Sequence, residues 1–498
     1  MNFSRFNLIC VLAFASGVAS ASADTVQEIN AAFGRDVLRS DASILIIGDS
    51  TNDPRGAGSY VTYYEGLVLR MPYDIELCGF RFSGSTGNVG VNSYVRFTYG
   101  STNQMVGGRV YARDGLVPVA TSDHRPPGYR NEFQLNPDGG LSAENPFGRI
   151  GFSNLSGVLP RAESWIVGQD LVIRTPVFVD PEAEILPSFS IATLEDHDGS
   201  AGTQIGQFET GQKVDVHLHG VSAGLQCIDV EFAQPASSRI GVGFFGDLDE
   251  DDADEGGKVF SWADHVLFSQ TRADADRGIY LDSFSVGGYT ALDHVNATEP
   301  EMLQAYVACA PRPISYVLIW LGQNAELDEF NGSVQQAYSD RIELLGDRAI
   351  AAVTGAGGAE PTIVLCTPPD ARAIYPSNRF SEMSVALQAL AVKRGWGHIN
   401  IHAMLGNSLI QMNPDFVGPG PHPTGLGASF LADFLYDYLR CVAIDYDADA
   451  QITFLDVSRF IQYFTEQDEL ADLNGDGEIN FFDISLFLSA YSNDCSLQ

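Results

Sequence analysis

Two groups of residues in this chain have types and spacings suited to chemistry. The first is spread along the sequence: Gly48-Asp49-Ser50, Gly322-Gln323-Asn324 and Pro421-His422-Pro423. A serine hydroxyl becomes a nucleophile when a histidine takes its proton. The attacked carbonyl oxygen gains charge, and glycine N–H groups and an asparagine amide are donors suited to hold it. Ser50 is therefore a candidate nucleophile, Asn324 a candidate oxyanion donor and His422 a candidate general base. Taken singly, each also reads as a turn residue, a helix cap or a loop histidine. Their shared placement after apolar runs is what groups them.

The second group is compact. Asp472, Asn474, Asp476, Asn480 and Asp483 supply oxygen donors at loop positions 1, 3, 5, 9 and 12, Glu478 supplies a backbone carbonyl at position 7, and Gly477 stands at the sharp turn. That register wraps a chain around one Ca²⁺. A second copy lies upstream in Asp445, Asp447, Asp449, Gln451, Thr453 and Asp456, with Ala450 replacing the turn glycine, so it is expected to bind less tightly. Each loop runs into an apolar helix, Val457 to Phe464 and Ile484 to Tyr491. By contrast, His217 and His219 share a strand face without a third ligand nearby, and the acidic run Asp247 to Glu255 lacks a ligand register.

The elements that must position the first group are legible from periodicity. Ile44 to Ile47 is a short continuous apolar run ending in Gly48, the pattern of a buried parallel strand with a turn at its carboxyl end. A candidate helix, Tyr60 to Arg70, follows. From Ile279 to Cys441 strands and helices alternate: strands at Tyr280 to Val286, Tyr316 to Leu321, Thr362 to Cys366 and Ile399 to His402, helices at Glu299 to Cys309, Ser333 to Leu345, Ser384 to Arg394 and Gly425 to Leu439. The expected fold class is α/β, a doubly wound parallel sheet. Between them, short alternating runs such as Tyr94 to Thr98 and Lys213 to Leu218 predict an antiparallel β-sandwich inserted into the α/β layer. A small all-α calcium-loop module completes the chain. The expected divisions are residues 1–23, then 24–72 with 272–440 for the α/β domain, 73–271 for the insertion, and 441–498 for the module.

Composition bounds the partners. Arg5, the apolar stretch Leu8 to Ala15 and the small-residue site Ala21-Ser22-Ala23 have the layout of a secretory signal peptide, with cleavage expected near Ala23. No later apolar run is long enough to span a bilayer, so an exported protein is expected, secreted or at the cell surface. Six cysteines remain after cleavage, which permits disulfides. With 28 Lys and Arg against 64 Asp and Glu, the net charge of −36 disfavours nucleic acid and anionic membranes as partners.

In their order along the chain, Gly48-Asp49-Ser50, a strand-end glycine, Gly322-Gln323-Asn324 and a Pro-flanked His422 resemble the four blocks of the SGNH or GDSL-type hydrolases. The resemblance covers Ala31 to Pro72 and Ile279 to Cys441. It implies Ser50 as nucleophile and first oxyanion donor, Gly288 as second, Asn324 as third and His422 as base. Gly84, in Phe82-Ser83-Gly84-Ser85-Thr86, also fits the glycine block, though Gly288 follows the better strand. The family places an Asp three residues before its His, where this chain has Pro419. Either Asp415 reaches back to orient His422 or a backbone carbonyl does. The C-terminal loops resemble a type I dockerin module, which implies structural Ca²⁺, a disulfide between Cys441 and Cys495, a cohesin-type scaffold or cell-surface partner, and cargo that acts on polysaccharide. Together the two resemblances imply a carbohydrate O-acetyl esterase working through an acyl-enzyme on an acetylated glycan, with no cofactor for catalysis. The alternatives are a lipid or aryl esterase of the same family and a non-catalytic glycan-binding surface protein.

Overall fold

The computed structural model describes residues 23–39, 41–49, 279–285, 289–297, 300–310, 312–324, 333–370, 379–406, 408–417 and 423–492, and between 77 and 269 the strands named below. The signal-like segment, the candidate helix at 60–70, and Ser50, Gly84, Gly288, His422, His219 and Cys495 lie outside the described residues.

A first helix, α1 (Ala23–Leu38), leads into strand β1 (Ser43–Gly48), every residue of which is buried. Next come β2 (Leu77–Ser83), β3 (Val95–Thr98), β4 (Leu116–Pro118), β5 (Asn131–Leu135), β6 (Arg149–Phe152) and β7 (Leu171–Val179). The region continues with β8 (Ser188–Glu195), β9 (Glu209–His217), β10 (Gly224–Phe232), β11 (Gly241–Asp247), β12 (Lys258–Trp262) and β13 (Leu267–Ser269). The α/β alternation then resumes: β14 (Ile279–Ser285), helices α2 (Ala291–Ala297) and α3 (Pro300–Ala308), β15 (Tyr316–Trp320), α4 (Ser333–Gly355), β16 (Thr362–Thr367), α5 (Arg379–Arg394) and β17 (Gly397–Asn400). Short helices α6 (Ile401–Leu405) and α7 (Leu409–Met412) and a 3₁₀ turn at Pro414–Phe416 precede the long helix α8 (Gly425–Ala443).

Strands β17, β16, β15, β1, β14 and β2 are neighbours in that order and all run parallel. Because β1 is flanked by β14 on one side and β15 on the other, chain order reverses there. Such a switch point opens a crevice at the carboxyl ends of the strands, where doubly wound sheets bind their ligands. β1 and β15 are buried throughout, and β16 and β17 at all but one residue each, which is why β1, β15 and β16 read as unbroken apolar runs. Leu45, Ile47, Val317, Ile319, Ile363 and Leu365 form one core with Leu345 and Ala349 of α4 and Leu387 and Leu390 of α5.

The divisions expected at residues 72 and 271 are not gaps in hydrogen bonding. β2 extends the parallel layer beside β14, and β13, β7, β12, β5 and β4 continue the same sheet in antiparallel pairing, with β10 on β7. A second antiparallel sheet runs β3, β6, β11, β8, β9. A disulfide from Cys227 on β10 to Cys309 after α3, with Cα atoms 5.6 Å apart, further ties the two regions.

At the C-terminus, α9 (Phe454–Glu466) and α10 (Phe481–Tyr491) form the small module. Its core is Ile444, Tyr446, Phe460, Leu473 and Phe487, with the Phe460 and Phe487 rings stacked 4.3 Å apart. No described helix is long and apolar enough to cross a membrane.

Candidate functional site

The three strands that carry the catalytic candidates end side by side. In the sheet register Gly48 of β1 is level with Ser285 of β14 and with Trp320 of β15. The described residues beyond these ends are Asp49 after β1, Tyr289 beyond β14, and Leu321 to Asn324 after β15. The link is direct at two places. Asn324 donates from Nδ2 to the Tyr289 carbonyl at 3.3 Å, and the Gln323 N–H donates to Oδ2 of the fully buried Asp49, also at 3.3 Å.

The strand before the rival glycine is more distant from β1. Ser83, which precedes Gly84, pairs with Phe284 on the far side of β14. Strands are spaced about 4.8 Å apart, so β2 lies roughly 10 Å from β1 while β14 is its immediate neighbour. Tyr289, next to Gly288, is the residue that Asn324 touches.

The Asn324 turn is built from behind. Gly322 has φ +137°, a backbone conformation that favours glycine, and its Cα packs close to the end of the flexible Met383 side chain. Tyr338 donates its hydroxyl to the Leu321 carbonyl at 2.9 Å, and buried Arg379 donates to the Gly322 carbonyl at 2.8 Å. The Gln323 amide donates to the Pro369 carbonyl. Sequence spacing gave no signal for Tyr338, Arg379 or Pro369, because each comes from another strand-helix unit.

Asp415 lies exposed in the 3₁₀ turn, and among the described residues its carboxylate has no hydrogen-bonding or ionic partner. Its backbone works instead: the carbonyl accepts from Thr424 Oγ1 at 2.5 Å. Thr424 N–H donates to the Phe416 carbonyl, and Val417 bridges Pro423. The described residues on either side of 418–422, the stretch that contains His422, are thus joined directly before α8.

The two calcium-type loops share their closing-carboxylate bonds. In the first, Asp456 Oδ1 accepts from the N–H groups of Tyr446 and Asp447 and its Oδ2 from Thr453; in the second, Asp483 does the same for Leu473, Asn474 and Asn480. In each the first Asp caps N–H groups of the turn, from Asp449 and Ala450 in one and from Gly475 and Gly477 in the other. Oxygens of Asp445, Asp447 and Asp449 lie within 4.8 Å of one another. Burial, with the nearby Asp456 and Asp449 carboxylates, pushes Asp445 up to about 6 against the relief its backbone N–H bonds give, and burial also raises Asp447. Asp447 Oδ1 is buried without a partner. Crowded, partly desolvated oxygens of this kind fit a hard divalent cation. Ala448 and Ala450 have φ of 58° and 61°, where the second loop has Gly475 and Gly477. The expected weakness of the first loop thus involves two strained alanines. Cys441 is disulfide-bonded.

Residues 443–488 match the family of the dockerin type I domain. Domains of this type bind calcium and dock onto cohesin scaffold partners. No curated protein matches the chain. Among solved structures, a carbohydrate acetylesterase from Sinorhizobium meliloti is similar at 15% identity over 32% of this chain and 77% of its own, with a TM-score of 0.23. An aryl esterase of M. smegmatis is similar at 16% identity over 33% of this chain and 79% of its own, with a TM-score of 0.25.

Proposed function

We propose that this chain is an exported serine hydrolase of the SGNH type that removes acetyl groups from polysaccharide while its dockerin module holds it to a scaffold or cell surface. The observation that carries the hydrolase reading is the level ending of β1, β14 and β15, with Asn324 bonded to Tyr289 and Gln323 to Asp49 across the switch point. In this reading Ser50 Oγ bonds to the acetyl carbonyl carbon as its proton passes to His422. The N–H groups of Ser50 and Gly288 and the Asn324 amide hold the oxygen that gains charge. The C–O bond to the sugar then breaks, and the leaving oxygen takes the proton from His422. Water, deprotonated by the same histidine, attacks the acyl-enzyme, and acetate departs as Ser50 recovers its proton. Asp415, or a backbone carbonyl, orients the imidazole.

The glycan substrate is supported by the company of the dockerin module, and export by the signal-like N-terminus with cleavage near Ala23. Calcium is structural in this reading. It is held by Asp445, Asp447, Asp449, Gln451, Thr453 and Asp456 in one loop and by Asp472, Asn474, Asp476, Glu478, Asn480 and Asp483 in the other, and it takes no part in the ester chemistry. Phe454 with Leu455 and Phe481 with Phe482 stand exposed at corresponding loop positions, an apolar surface that favours a docking role. Residues 24–72 and 272–440 would form the hydrolase layer, 73–271 the β-rich insertion and 441–498 the docking module.

The test is release of acetate from acetylated xylan or pectin, and of p-nitrophenol from its acetate, by the mature protein beside Ser50→Ala. Wild-type release abolished by the substitution is expected; equal release by both would sink the reading.

A further inference from the structure

The turn that carries Ser50 is gripped from both sides by residues of the neighbouring strand-end segments. On the β15 side the grip is the Gln323 N–H on Asp49. On the β14 side it is His294 of α2, whose Nε2–H donates to the Gly48 carbonyl at 2.8 Å. The same ring meets Tyr289 edge-on, centroids 5.1 Å apart, and lies 6.2 Å from Phe284. His294 thus touches both the segment before Ser50 and the residue after Gly288. It is fully buried, and burial holds its pKa down to about 4, so the ring is neutral with its hydrogen on Nε2. Nδ1 is buried without a hydrogen-bond partner. An apolar side chain of similar volume would avoid that unsatisfied atom, so packing alone does not account for a histidine here. What the histidine adds is one directed N–H to the carbonyl of Gly48.

Helix α2 is aimed by its own start. Thr290 donates from N–H and Oγ1 to Asp293 Oδ2, each at 2.8 Å, and the Asp293 N–H returns a bond to Thr290 Oγ1. This reciprocal box fixes the first turn of the helix, and His294 follows Asp293 directly.

Resting on the hydrolase reading above, we propose that His294 is a positioning residue that fixes the Gly48-Asp49-Ser50 turn against the Gly288-Tyr289 turn, so that nucleophile and oxyanion donors keep one geometry. Small displacements of such groups cost rate far more than they cost substrate binding.

The experiment compares His294→Leu, His294→Phe, which keeps an aromatic ring, and His294→Gln, whose side-chain amide can still donate to Gly48. Each is measured for kcat and KM on p-nitrophenyl acetate and for hydrogen exchange of the peptide spanning 48–51, beside wild type and Ser50→Ala. Leu and Phe are expected to lower kcat tenfold or more with KM within about twofold and to speed exchange at 48–51, while Gln restores most of both. An unchanged kcat in a folded Leu or Phe variant, or an equal loss in all three, overturns the proposal. Full activity in Ser50→Ala sinks the hydrolase reading instead, and unaltered exchange in the Leu and Phe variants then overturns the grip on the turn separately.

Discussion

Arg39, just past the end of α1, donates from Nε to the backbone carbonyl of Asp472, the first residue of the second calcium loop, at 2.6 Å. Its Nη2 donates to the Glu469 carbonyl as well. Gly475, at φ +68°, lies so close that a Cβ would stand 2.5 Å from the Arg39 carbonyl oxygen. Arg35, one turn earlier, stands over the Tyr446 ring and donates to the Ala443 carbonyl. Helix α8 begins three residues after His422 and ends two before Asp445. The dockerin-type module is therefore joined to the α/β layer by a continuous helix and a built interface.

Calcium is accordingly expected to stabilise both parts together. In scanning calorimetry of the full chain, added Ca²⁺ should raise a shared transition, and Arg39→Ala should split it and lower the module's stability by about 2 kcal/mol, the scale of hydrogen bonds from a charged donor. An α/β-layer transition indifferent to calcium in the wild type would refute the coupling.

The first loop should improve when its strain is relieved. An L-residue in the left-handed region costs about 1 kcal/mol, part of which is returned by the lower unfolded-state entropy of alanine relative to glycine. Ala450→Gly, alone or with Ala448→Gly, should tighten calcium binding at Asp445 to Asp456 by roughly threefold to fivefold per site. Titration calorimetry reads this as a convergence of two unequal affinities; a weaker first site in the variant would contradict it.

What was legible in the sequence follows from how local each cause is. β1, β15 and β16 were readable because burial on both faces demands unbroken apolar runs, and both calcium loops because their ligand register is fixed by neighbours in sequence. Helix α4 was expected to stop at Leu345, before Gly346, but it continues to Gly355 because that glycine admits the Trp396 ring, a partner fifty residues away. His402 was expected at a strand end. It lies instead in the first turn of α6, since the Asn400 side chain accepts from Ala403 N–H and starts a helix there. The run of the parallel sheet into antiparallel strands through β2 and β13 was hidden, because strand pairing across the sheet leaves no local trace. Arg379 and Tyr338 reach the Asn324 turn, and His294 the Gly48 carbonyl, through contacts made over long sequence distances, which spacing cannot reveal.

Two buried histidines make the α/β layer sensitive to acid. His294 and His398 are both held to about 4, chiefly by burial, against 6.5 for the exposed side chain. His398 is braced by Thr367 on Nε2 and Gln388 on Nδ1. Because the folded values are depressed, the unfolded chain binds more protons between pH 6.5 and 4. Stability is then full above 6.5 and is lost as pH falls through that window, by up to about 3 kcal/mol per histidine. Melting temperature should drop steeply from pH 7 to 4.5, and His398→Gln should flatten part of that slope; a slope unchanged in this variant would remove His398 from the cause.

Asn324 offers the sharpest kinetic test of the proposed reaction. Its amide donates one hydrogen to the Tyr289 carbonyl and keeps a second for the substrate oxygen in the proposed reaction. In the ground state an ester carbonyl gains little from a donor there, but the oxygen of the tetrahedral intermediate carries a full charge. Removing one such donor costs on the order of 10² to 10³ in kcat. Asn324→Ala should therefore lower kcat by that factor and leave KM within about twofold. Asn324→Asp, which places a carboxylate where the oxyanion forms, should be worse than Ala despite its closer shape. If Asp retained more activity than Ala, the side chain would be serving the fold of the turn and not the charge of the transition state.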